Sequence, residues 1–133
     1  MIIFQSISYF RERLSALKKV KRGVYATIDE EIRREFTGKS IEQIRMNNDM
    51  ILIEDSYITI KLRLPDRKHK LSKKDGFRLL YLVYKDKEEV AFLDIYPKNG
   101  PKQQLDENDE TIAWLIDSYA TEKDSGTLIN YIL

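Results

Sequence analysis

At Met50 the spacing of apolar residues along this 133-residue chain changes from that of helices to that of strands. That change constrains the fold more than any other feature. Before it, Phe10, Leu14 and Leu17 recur at helical intervals, and so do Ile32 with Phe36 and Ile41 with Ile44. After it, Ile58, Ile60, Leu62 and Leu64 alternate with Tyr57, Thr59, Lys61 and Arg63, as along a strand with one buried face. The order predicts an α+β fold, with N-terminal helices followed by a run of strands.

Local signals fill in the elements. A short strand is expected at residues 2–4, then a helix carrying Phe10, Leu14 and Leu17. Thr27 with Glu30 and Ser40 with Gln43 have the spacing of capping boxes and open two further helices. Residues 50–54 and 57–64 read as strands flanking a turn at Asp55-Ser56. Phe77 to Tyr84 and Glu89 to Tyr96 read as a hairpin joined by Lys85-Asp86-Lys87-Glu88, apolar enough to be covered on both faces. Asp106 or Asn108 caps a last helix with the stripe Ile112, Leu115, Ile116, Tyr119, and Trp114 falls off that stripe. Thr127 to Leu133 is apolar but fits neither pattern. The expected core joins Ile58, Ile60, Leu62, Leu79, Leu93 and Ile95 to Leu14, Leu17, Ile32 and Phe36.

The length suits a single domain over residues 1–133, divided into a core of 1–105 and an acidic C-terminal extension of 106–133. A content of 42% hydrophobic and 34% charged residues excludes both a disordered chain and a membrane-embedded one. No apolar run approaches the roughly 20 residues that span a bilayer, and the first residues lack the features of a secretory signal. Without cysteine no disulfide or thiolate metal site is possible, and a reducing cytoplasm is the expected location. With one histidine, no metal is expected. Nucleotide-binding glycine loops and hydrolase motifs are missing, so no cofactor is expected either.

A net charge of +1 conceals an uneven distribution. Residues 61–87 hold ten Lys or Arg against three Asp, whereas residues 103–133 hold seven acidic residues against Lys123 alone. The middle of the chain suits a polyanion or an acidic partner, and the acidic end could compete for it. A solvated charge run is the plainer account of the same residues.

Three segments sharpen the picture. Ile60-Lys61-Leu62-Arg63, then a basic break, then Gly76-Phe77-Arg78-Leu79-Leu80-Tyr81, and finally Phe92-Leu93-Asp94-Ile95-Tyr96-Pro97-Lys98-Asn99 together resemble the RelE/ParE superfamily of toxins, in particular its RelE/HigB-type members. The resemblance covers about residues 1–105 and is specific over about 57–100. It implies a small curved antiparallel sheet with N-terminal helices packed on one side and a C-terminal helix. It also implies a toxin held by a cognate antitoxin protein, acting on messenger RNA in the ribosome as an endoribonuclease. A sister branch acts on DNA gyrase, and other relatives are not demonstrably toxic.

Under that resemblance Arg78, Lys61 and Lys98 are the candidate catalytic residues. Arginine suits charge stabilisation because its planar fork holds two phosphate oxygens at once. Arg63, Arg67, Lys68, Lys70, Lys73, Lys74 and Tyr96 are the candidate RNA-binding residues, the cations for phosphate and the ring for a base. Arg78 is read as a strand-end arginine near the surface. His69 has the pKa for proton transfer but lies in an expected mobile loop. A non-catalytic binding module of the same fold and an unrelated interaction domain remain the alternatives.

Overall fold

The computed structural model describes residues 1–46, 50–53, 56–84, 86–104 and 107–133. Among them, six strands form one open sheet in the order β2-β3-β4-β5-β1-β6. The strands are β1 Ile3–Ser6, β2 Met50–Ile53, β3 Tyr57–Leu64, β4 Phe77–Tyr84, β5 Glu89–Pro97 and β6 Ile129–Asn130. The α-helices are α1 Ser8–Lys18, α2 Ile28–Phe36, α3 Ile41–Arg45 and α4 Asp109–Ser125. The α+β fold expected from the periodicity is therefore found. The sheet is mixed, because β1 and β5 run parallel while the other neighbours run antiparallel. A parallel pair needs a long crossover, and here the chain from α1 to β4 supplies it.

Register assigns each residue to a face. Ile58, Ile60, Leu62 and Leu64 of β3 lie opposite Val83, Tyr81, Leu79 and Phe77 of β4. Phe10 of α1 stacks on Phe92 at 5.4 Å, and Phe36 of α2 meets both Phe92 and Tyr81 edge to face. The N-terminal helices thus cover this face. Tyr119 of α4 lies beside Tyr84, so the C-terminal helix covers the opposite one. All ten residues expected in the core are buried. Coverage from both sides explains why β4 is buried from Phe77 to Val83.

One extra residue alters β5. Tyr81 lies opposite Phe92 and Leu80 opposite Asp94, which leaves Leu93 as a bulge. Phe92 therefore faces α1 and α2, whereas Asp94 and Tyr96 face the other way.

The helix ends follow the sequence unevenly. Ser40 and Gln43 form the expected capping box, and Asn108 accepts from the Thr111 N–H at 2.8 Å to cap α4. The box at Thr27 does not form. With φ −96° and ψ 9°, Thr27 lacks the extended backbone that turns a capping hydroxyl onto the helix N–H groups. Asp55, Lys85 and Asp106, named above in turns and a cap, lie outside the described residues. The 127–133 segment supplies β6, which pairs with β1, and Tyr131 packs edge to face on Phe10 and Phe92. The acidic extension is thereby built into the sheet. Among the described residues no helix is long and apolar enough to cross a membrane.

Candidate nucleic-acid interface

The face of the sheet opposite the one packed by Phe10 and Phe36 carries the cations. Arg63 lies opposite Arg78, and Arg78 opposite Tyr96, so the three form a row across β3, β4 and β5. Lys61 occupies the same face two residues from Arg63. The Lys98 N–H bonds the Gly76 carbonyl at 2.9 Å, continuing the ladder, and alternation puts Lys98 on the Tyr96 side. Neighbouring strands are about 4.8 Å apart, close enough for same-face side chains to meet. Arg63 is exposed, Lys61 and Lys98 are half-buried, and Tyr96 is buried.

Arg78 differs from the surface cation that its strand-end position suggested. It is only 6% exposed. Its Nη1 donates to the carbonyls of Lys73 at 2.9 Å and Phe77 at 3.2 Å, and its Nη2 donates to that of Lys74 at 2.7 Å. The loop before β4 doubles back so tightly that the guanidinium reaches its carbonyls. Gly76 makes that approach possible, since a Cβ there would lie 2.1 Å from the Leu64 carbonyl oxygen. Asn99 Nδ2 holds the same loop through the Asp75 carbonyl at 2.6 Å. Arg78 thus braces the loop that presents the exposed Lys73 and Lys74.

The rest of the basic cluster goes elsewhere. Arg67 pairs with the buried Glu31 of α2, its own N–H bonding Glu31 Oε2 at 2.7 Å. Lys68 Nζ bonds the Gly23 carbonyl. Both side chains thus point toward the N-terminal helices and not along the Arg63–Arg78 row. Lys70 is exposed in a left-handed conformation that ends a 3-10 turn over Arg67–His69. His69 sits in that turn. An Asp66–Leu71 bridge closes the turn, and Asp66 Oδ2 lies 2.7 Å from His69 Nδ1.

Sequence reasoning missed a second cluster beside the cationic row. Asp94, fully buried, is held by Arg13 through Nε–Oδ1 at 2.9 Å and Nη2–Oδ2 at 3.1 Å. Burial pushes the Asp94 carboxyl above its ordinary range, against the pull of Arg13 and the Ile95 N–H. The Arg13 guanidinium also lies over the Tyr9 ring at 5.2 Å, and Tyr9 meets Trp114 edge to face at 5.2 Å. The available signal was weak: a carboxylate inside an apolar strand needs a partner, but nothing in the spacing names Arg13.

Chemically, the row offers positive charge from Lys61, Arg63 and Lys98, whereas Tyr96, expected to stack on a base, is fully buried and presents no ring to a ligand. Among the described residues no group of three His, Asp or Glu side chains could hold a metal ion. No family model, curated protein or solved structure matches the chain.

Proposed function

We propose that this chain is a RelE-like toxin, a ribosome-dependent endoribonuclease that inhibits translation by cutting messenger RNA and is neutralised by a cognate antitoxin protein. The observation that carries the reading is the shared face of Lys61, Arg63, Arg78 and Tyr96 across three adjacent strands. Cleavage by the RNA's own 2′-oxygen builds charge on the phosphorus-centred transition state, and cations fixed by a sheet stabilise it without reorganising. Lys61 and Arg63 are the groups for that task, with Lys98 at the end of the row. Arg78 acts through the loop it braces, which makes it a positioning residue in this scheme.

The test is controlled expression in a bacterium of the wild type and the Lys61→Ala/Arg63→Ala variant, reading growth and messenger-RNA integrity together. The wild type should arrest growth and fragment messages, and the folded variant should do neither. Intact messages with arrested growth would sink the nuclease reading. The engagement of the Arg78 guanidinium by three backbone carbonyls favours a second reading, a non-catalytic binding module on the same fold. That module would arrest growth or bind a partner without cutting RNA.

A further inference from the structure

Tyr84 ends β4, at the far end of the strand from Arg78, and lies beside Tyr119 of α4 with ring centroids 6.1 Å apart. It is half-buried, so solvent still reaches it. Lys123, one helical turn beyond Tyr119, sets its Nζ 4.0 Å from the centre of the Tyr84 ring, and Lys87, between β4 and β5, sets its own at 5.4 Å. Two cations from separate parts of the chain thus converge on one phenol. On its other flank Tyr57 of β3 meets the same ring edge to face at 6.4 Å.

The phenol oxygen accepts hydrogen bonds from the Tyr119 O–H and from Lys123. Burial alone would push Tyr84 up, as it does Tyr9, Tyr25, Tyr119 and Tyr131. The two hydrogen bonds, with the charges of Lys123 and Lys87, outweigh it and hold Tyr84 below the ordinary phenol value. Tyr119 moves the opposite way, raised by burial and then by the bond it donates.

A phenol becomes a nucleophile when its oxyanion is stabilised, and cations beside that oxygen also stabilise the charge that develops on a carbonyl under attack. We propose that Tyr84, clasped by Lys87, Lys123 and Tyr119, is a covalent modification site, a nucleophilic phenol that takes an acyl group from an uncharged, activated acyl donor. The phenol releases its proton to water, its oxygen bonds the acyl carbon, and the leaving group departs with the electron pair of the bond that breaks. The neighbouring charges select the donor. Asp86 and Glu88, both exposed, flank Lys87 in the chain, and Glu89 bears on Tyr119. These carboxylates repel a polyanionic phosphoryl donor and leave an uncharged acyl donor unaffected. The inference does not depend on the nucleic-acid reading.

The experiment treats the full chain with limiting N-acetylimidazole, which acetylates phenols and releases imidazole, and maps the product by peptide mass spectrometry. Tyr84 should be acetylated first of the eight tyrosines, several-fold faster than the neighbouring Tyr57. The Lys87→Gln/Lys123→Gln variant should slow Tyr84 without slowing Tyr57, and Lys123→Arg should keep most of the wild-type rate. Tyr84→Phe should lose the fast phase while the circular dichroism of the protein stays native. Labelling of Tyr84 no faster than Tyr57 would overturn the proposal. So would a double-lysine variant that is folded and acetylates Tyr84 at the wild-type rate.

Discussion

Arg78→Ala tests the brace and separates it from a purely surface role. The truncation removes two short bonds, 2.9 and 2.7 Å, to the Lys73 and Lys74 carbonyls, and a longer buried one to Phe77. Hydrogen bonds from a charged group contribute about 1.5–3 kcal/mol each. Lys73 and Lys74 are exposed, so their carbonyls recover water in the variant and offset much of that loss. The Phe77 carbonyl has less access to water. A net destabilisation of about 2 kcal/mol follows, against the roughly 0.5 kcal/mol of an ordinary surface substitution. With a urea dependence of about 1–3 kcal/mol/M, the unfolding midpoint followed by circular dichroism should fall by roughly 1 M. Arg78→Lys should recover little, because one ammonium does not span the carbonyls that the fork reaches. The exposed Arg63→Ala should shift the midpoint much less. If Arg78→Ala unfolds within about 0.5 kcal/mol of the wild type, the guanidinium does not brace the loop and the reasoning fails.

Gly76→Ala should cost well over the about 1 kcal/mol typical of point substitutions, because the added Cβ meets the Leu64 and Pro65 backbone, which has no room to yield. Near-normal stability in the same urea assay would show that the loop does not pack against the end of β3. Asp94 supplies a pH test. Its carboxyl, raised by burial, binds a proton more tightly folded than unfolded, so its contribution lowers stability as pH rises from about 3.9 through the raised folded value. Asp94→Asn should flatten that decline in urea curves taken across the window, and an unchanged slope would count against the burial argument.

What was legible in the sequence follows from what period alone encodes. Ile58, Ile60 and Leu62 announce a strand with one buried face because alternation is a property of the strand itself. The same rule placed Lys61 and Arg63 together. Arg78 was misjudged as a surface group, since its burial depends on a loop that folds back, and loop paths leave no periodic trace. Arg67 and Lys73 looked equivalent in a charge count, yet Glu31 draws the first toward the helices. The Arg13–Asp94 pair joins residues far apart in the chain, and only the packed fold brings them together. β1 offered no hint of its parallel partner, because four residues of strand carry no direction.

The unpaired Leu93 makes the two halves of β5 read in opposite phase. Up to Phe92, even-numbered side chains go under the helices, and from Asp94 onward even-numbered side chains go to the cationic side. Deleting that single residue would let Asp94 follow Phe92 in plain alternation, so the other side chains of β5 would keep their faces and the loss would be the buried Leu93 side chain and the bend of the bulge. A chain with a β5 one residue shorter could therefore build the same surface from the same residues, and aligning it to this one without a gap at Leu93 would pair side chains that never share a side of the sheet.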